Sequence, residues 1–300
     1  MRPNPILKKM GFADDDRVVI IHADDIGMCQ ASVAAFSQLA DAGIVSSGAI
    51  MVPCPWFLEA AAYARSHPQA DLGVHLTLTS EWETYRWGPV STRDQASGLL
   101  DAEGCFYRTR PEAQEHADPE AVQVEMTAQV ERALAAGIEP THVDTHMGTV
   151  AHPKFIGQYV QLAFQYHLPP MLPRLDKAGL IERGMDPVSA AGAAELLPQL
   201  EEQGLPLLDS LSTLELDAPD ERLEQAKQAL AHLPAGLTHF IIHPSVDTPE
   251  LRAITPDWRA RVADFHTFQD ESLLRFIHDQ GIHIIGYRDV REAMRNGQAG

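Results

Sequence analysis

Short apolar runs alternate with amphipathic stretches along nearly the whole chain. RVVIIHA (17–23) is a continuous apolar run, the pattern of a strand covered on both faces. SVAAFSQLADAG follows it, with Val33, Phe36, Leu39 and Ala40 on one helical face and Gly43 placed as a stop. IVSSGAIMV (44–52) reads as a strand ended by Pro53 and Pro55, WFLEAAAYARSHP (56–68) as a helix and DLGVHLTL (71–78) as a third strand. This βαβαβ rhythm predicts parallel strands joined by helical crossovers.

From Thr79 to about Ala117 the rhythm breaks. The segment holds Trp82, Tyr85 and Trp87, and the piece GLLDAEGCFYR reads as a hairpin turning at Ala102–Gly104. An excursion of this length inside a compact fold reads as a functional insertion, placed where it could cover a site or pack down on the sheet. The alternation then resumes. DPEAVQVEMTAQVERALAAG (118–137) has the clearest helix pattern, with Asp118 as N-cap, Pro119 at the first position and Gly137 at the end. THVDTH (141–146) is the next strand, and 171–175, 206–210, 238–243 and 283–287 are later candidates. The pattern predicts one α/β domain over residues 1–300, a single distorted (β/α) barrel of seven or eight mostly parallel strands. An open doubly wound sheet is the runner-up. No Gly-x-Gly-x-x-Gly follows the first strand and no phosphate-binding Walker loop is present, which removes the main support for a dinucleotide or nucleotide-triphosphate site.

Composition narrows the function classes. The chain has 300 residues, with 23 Lys+Arg against 42 Asp+Glu, a net charge of −19. Such a surface repels phosphate backbones and anionic lipid, so no nucleic-acid or membrane partner is expected. Cys29, Cys54 and Cys105 are scattered without paired spacing and read as thiols in a reducing compartment. The stretch MRPNPILKKMGFADDDR lacks the apolar core of a signal peptide. A cytoplasmic location follows as the expectation.

The informative feature is where acids and histidines fall relative to the strands. HADDIG (22–27) puts Asp24 and Asp25 at the end of the first strand, and GVHLTLT (73–79) puts His75 near the end of the third. THVDTHMG (141–148) carries His142, Asp144 and His146, and FIIHP (240–244) carries His243. In a parallel barrel these strand ends meet on one face, where barrel enzymes build their sites. His22 and His239, alone in apolar strands, read as hydrogen-bonded core histidines. The period of two sends His142, Asp144 and His146 to one side of a strand, and burying that cluster is costly unless a cation neutralises it. Imidazole and carboxylate together suit Zn²⁺ or a similar divalent ion with open positions. Asp24 and Asp25 would point to opposite faces of a regular strand, so both reach the site only if the chain bends, which Gly27 and a loop starting at Ile26 allow.

HADDIGMC, GVHLTLTSEW, PTHVDTHMG and IIHPSVDTPELR, in this order, resemble the motifs of the YdjC-like carbohydrate deacetylases, which include the diacetylchitooligosaccharide deacetylases. The resemblance runs from about residue 17 to 290. It implies a distorted (β/α) barrel, often a homodimer, that uses one divalent metal ion to remove an acetyl group from an N-acetylated sugar and release acetate. By that resemblance Asp25, His75 and His146 would be metal ligands, Asp24 the general base and His243 the general acid. Asp144 would lie behind the ligands, orienting an imidazole. Family members often continue the last histidine motif with a dense run such as DSHHHVH, whereas this chain reads DTHMGTVAHP. The next histidine, His152, then stands either as a substitute ligand or as a substrate contact. Two histidines in the set lean towards transition metals, with Zn, Mg, Ni and Mn left open. Two other readings stay in view: a metal hydrolase of another amide or ester on the same scaffold, and a sugar-binding protein that has lost catalysis.

Overall fold

The computed structural model describes residues 3–182 and 185–296. Met1 and Arg2, the start of the stretch read against a signal peptide, lie outside the described residues.

Among the described residues seven strands form one sheet: β1 (Arg17–Ile26), β2 (Ser47–Ile50), β3 (Leu72–Leu76), β4 (Val143–Thr145), β5 (Ser210–Thr213), β6 (Gly236–Ile242) and β7 (Ile282–Ile284). Their order is β4-β3-β2-β1-β6-β5, and every pairing is parallel. β1 is the hub. β6 runs along one of its edges from Arg17 to Ala23, while β7 takes the start of the other edge and β2 its end. Beyond Arg17 every residue of β1 is buried, as its unbroken apolar pattern requires for a strand covered on both faces.

The sheet curls into a distorted barrel whose outer edges meet, among the described residues, only through isolated bridges, Val143 to Pro170 and Pro173 to Leu208. The expected strand at 171–175 is therefore only a bridging segment. Its prolines explain why, since Pro169, Pro170 and Pro173 have no N–H to carry a ladder. The candidate at 206–210 likewise moves on, to Ser210–Thr213, beyond Pro206. The other expected strands are present with shifted ends: the first extends to Ile26, the two late ones begin at Gly236 and Ile282, and the rest are shorter.

The helix expected at 118–137 spans Pro119–Ala135, and the Asp118 carboxylate accepts hydrogen bonds from the N–H groups of Glu120 and Ala121. Such a cap contributes about 1 kcal/mol. Two polar residues one turn apart on this helix are fully buried and tie the insertion down. Glu125 accepts from the Val90 and Ser91 N–H groups, and Gln129 bonds both backbone groups of Thr77. The hairpin forms with an antiparallel bridge between Leu100 and Phe106. Trp82 and Trp87 are buried and belong to the core, and the Trp87 indole donates to the Thr79 carbonyl. The insertion thus packs down on the barrel. No helix among the described residues is long and apolar enough to cross a membrane.

Candidate metal centre

The site begins with an irregularity in β1. Its register on β2 pairs Ala23 with Gly48 and then Ile26 with Ile50, so two residues, Asp24 and Asp25, face one on the neighbouring strand. This bulge puts Asp25 at φ 62°, a left-handed conformation that Asp adopts more readily than most side chains. The bend lies at Asp25 itself, two residues earlier than Gly27, and it turns both carboxylates towards one place.

Three side chains from three strand ends converge there. Asp25 Oδ1 lies 3.2 Å from His146 Nδ1 and 3.5 Å from His75 Nε2. The ligand-type atoms of Asp25, His75 and His146 all fall within 4.8 Å of one another, and all three residues are buried. Asp25 Oδ1 and His75 Nε2 have no hydrogen-bond partner although both are buried. Buried lone pairs aimed at a common point are satisfied by a cation, and one carboxylate with two imidazoles suits a divalent ion.

Each of these groups is held from behind. Asp144 Oδ1 accepts from His75 Nδ1 at 2.8 Å, which leaves Nε2 facing the centre. Glu81 lies 3.1–3.2 Å from His146 Nε2 and does the same for that ring, leaving Nδ1 free. Arg261 Nη1 donates to Asp25 Oδ2 at 2.7 Å, so only Oδ1 is turned inward. Arg261 is itself anchored by Asp257 through Nε and Nη2.

The electrostatics follow from this packing. Burial opposes the ionised form of Asp25, but the adjacent Arg261 guanidinium, together with His146 and His75, outweighs it and holds the carboxyl well below the usual carboxylate range. Burial also disfavours a charged His75 and His146, yet surrounding carboxylates prevail. His75 is raised well above the ordinary imidazole value, mainly by Asp144 and Asp24, and His146 is raised to about 9, mainly by Glu81. A pocket that draws protons onto its imidazoles draws a divalent cation for the same electrostatic reason.

Asp24 stands beside this group. Its Oδ1 takes a 2.7 Å hydrogen bond from His22, while Oδ2 lies 3.8 Å from His75 Nε2 and 3.9 Å from His243 Nε2. Burial works against its charge, but His75 and His22 keep it below the usual carboxylate range. His243 directly follows β6, its backbone N–H held by Asp264 at 2.9 Å.

His142, Asp144 and His146 do not crowd one point as the strand period suggested. β4 ends at Thr145, and His146 opens a short helical turn (His146–Ala151) in which Met147 and Gly148 are left-handed. His142 instead bonds His22, Nε2 to Nε2, at 2.8 Å, and stacks on Tyr287. His239 is a core histidine bonded to the Tyr287 hydroxyl. His152 is not brought to the Asp25, His75 and His146 group. It lies at the end of that turn, its Nδ1 accepting from the Lys154 N–H at 3.2 Å. A second set, His22, Asp24, Asp144 and His239, also gathers ligand-type atoms within 4.8 Å. Both His22 nitrogens already serve hydrogen bonds, so the first set is the better metal centre.

Glu81 and Arg261 escaped the reading of the sequence. Glu81 lies inside the GVHLTLTSEW motif, six positions after His75, where an acid near a histidine motif was a visible signal. Arg261 sits in the helix Trp258–Thr267, nine positions beyond the IIHPSVDTPELR motif, and only the folded contact reveals it.

A family model for YdjC-like proteins matches residues 18–279. The chain belongs to the YdjC-like family. Among the relatives of this YdjC-like protein is a carbohydrate deacetylase from Thermus thermophilus, 34% identical over 293 residues, covering 96% of this chain and 99% of the relative. A carbohydrate deacetylase from Thermoanaerobacter pseudethanolicus is 25% identical over 271 residues, covering 90% and 98%. A crystal structure of a candidate cellobiose-phosphate cleavage protein from Enterococcus faecalis V583 shares the fold, with a TM-score of 0.73 at 22% identity over 92% of this chain and 99% of that one.

Proposed function

We propose that this YdjC-like protein is a metal-dependent hydrolase that removes the acetyl group from an N-acetylated sugar or oligosaccharide and releases acetate. The convergence of Asp25 Oδ1, His75 Nε2 and His146 Nδ1, two of them buried without partners, carries the reading. The near full-length similarity to a carbohydrate deacetylase supports the substrate class.

In this reading Asp25, His75 and His146 hold the ion. When bound it lowers the pKa of water towards neutrality and polarises the acetamide carbonyl. Asp24 presents Oδ2 to the attacking water and takes its proton as the new C–O bond forms. His243, across from Asp24 Oδ2 at 3.9 Å, gives a proton to the nitrogen as the C–N bond breaks, so that acetate and a free amine depart. Asp144 and Glu81 keep the two ligand imidazoles in the tautomers that face the ion. His152 is assigned to sugar contact, outside the ligand set. The ion is one of Zn, Mg, Ni or Mn, with the histidines favouring a transition metal. A single 1–300 domain, a cytoplasmic location and assembly as a homodimer belong to the same reading, the last by family resemblance. The net charge of −19 argues against a nucleic-acid partner.

The test is acetate release from a panel of N-acetylated mono- and oligosaccharides, before and after metal removal by a chelator. Metal-dependent acetate release is expected. Full-rate release by the stripped protein, or release of phosphate from sugar phosphates in place of acetate, would overturn the assignment.

A further inference from the structure

Beneath Asp24 a line of hydrogen bonds crosses the barrel interior. Asp24 lies near the C-terminal end of β1, whereas Asp71 immediately precedes β3 and so belongs to the opposite face of a parallel barrel. Between them run four contacts: Asp24 Oδ1 to His22 Nδ1 at 2.7 Å, His22 Nε2 to His142 Nε2 at 2.8 Å, His142 Nδ1 to Thr141 Oγ1 at 3.0 Å, and Thr141 Oγ1 to Asp71 Oδ1. His22, His142 and Thr141 are fully buried. The His22 ring is also confined by the His239 ring, 4.5 Å away between centroids.

We propose that His22 is a positioning residue for Asp24, held as its neutral Nδ1–H tautomer by a hydrogen-bonded chain of one polarity that starts at Asp71. This rests on the assignment of Asp24 as the base. An ionised carboxylate only accepts, so His22 Nδ1 must donate to Asp24. A neutral His22 then accepts at Nε2, and His142 donates from its own Nε2. His142 Nδ1 is left as an acceptor, and the Thr141 hydroxyl donates to it. The hydroxyl has a single hydrogen, so its contact with Asp71 is supplied from the Asp71 side, which carries a proton there.

The remaining groups around Asp71 agree with that order. Its Oδ2 accepts from the Arg288 N–H at 2.6 Å and its Oδ1 from Ser47 Oγ at 3.0 Å. Burial raises its proton affinity, while the hydrogen bonds it accepts from Arg288 and Ser47 only partly oppose this. His142 is kept well below the ordinary imidazole value chiefly by burial, so it stays neutral. The opposite polarity would need an imidazolium at His22, whose Nε2 lies 3.5 Å from Asp144 Oδ2 but has no solvent contact, and an ionised Asp71. The consequence for chemistry is geometric. His22 clamps Oδ1 of Asp24 and fixes its carboxylate plane, which leaves Oδ2 facing His75 and His243.

The direct test is long-range ¹H–¹⁵N correlation on the full chain loaded with diamagnetic Zn²⁺ or Mg²⁺, with the His22 ring assigned by its loss in His22→Asn. A neutral Nδ1–H tautomer at His22 near neutral pH is expected; an Nε2–H tautomer or an imidazolium overturns the proposal. This readout stands whether or not acetate is released, so it fails separately from the functional assignment. Kinetics supply the second arm, with metal content checked in each variant. Asn keeps a donor near Nδ1, so His22→Asn should stay within about threefold of the parent kcat, whereas His22→Leu should lose at least about tenfold in kcat with KM little changed. Equal kcat values for the Asn and Leu variants would overturn it.

Discussion

Arg261 donates to Oδ2 of Asp25 from 236 positions further along the chain, at 2.7 Å, and so decides which oxygen of that carboxylate faces His75 and His146. Both partners are buried. The pair is the electrostatic floor of the metal centre, since Arg261 is the first of the groups that oppose the effect of burial and keep the Asp25 carboxyl low.

Removing that cation should therefore be damaging in two ways. Arg261→Met leaves Asp25 and Asp257 without their partner, and breaking a buried pair from one side costs about 3–5 kcal/mol. Chemical denaturation should report that loss. Arg261→Lys should recover part of it, because a single ammonium cannot reproduce the fork that reaches both carboxylates.

Glu81 supports His146 from outside the ligand set, and its side chain is partly exposed. Glu81→Gln should leave the fold almost unchanged and weaken metal binding about 10–100-fold, the usual effect of losing a carboxylate behind a ligand histidine. Competition against a chromophoric chelator measures this directly. An unchanged metal affinity would assign Glu81 to the surface of the insertion alone.

The two roles assigned to adjacent acids separate by a simple pair of substitutions. Asp25→Asn should lose the metal and with it acetate release. Asp24→Asn should retain the metal and lose about 10²–10⁴-fold in kcat, the range attributed to a general base. Elemental analysis beside the kinetic assay distinguishes them.

Stability should fall on mild acidification even without metal. Burial holds His142 and His239 well below the ordinary imidazole value in the folded chain. Below about pH 6.5 the unfolded chain binds protons that the folded chain refuses, so stability falls as pH falls, by about 1.4 kcal/mol per pH unit for each histidine. Denaturation midpoints between about pH 6 and 5 in chelator, where His75 and His146 are protonated folded and unfolded alike, should show this slope, and His239→Asn should reduce it.

Much of the fold was legible because local pattern and tertiary need agree in a parallel barrel. The apolar run of β1, the Asp118 cap and the Gly43 stop are short-range signals, and the folded chain uses each of them. Failures came where chain connectivity was overruled by backbone chemistry. The apolar stretch at 171–175 looked like a strand, but its flanking and internal prolines allow only isolated bridges.

The sequence by itself determined that Asp24, Asp25, His75 and His243 stand at strand ends, because alternation places strands and parallel strands share one face. Only the tertiary structure decided which atoms meet. The bulge at Asp25, the helical turn that begins at His146, and the carboxylates and guanidinium behind each ligand depend on contacts between segments tens to hundreds of residues apart. His22 shows the difference most plainly. On its own strand it is one more core imidazole; in the barrel its two nitrogens connect the candidate base to the opposite face. Hydrogen-bond polarity belongs to the whole chain of partners, and a linear pattern carries no record of it.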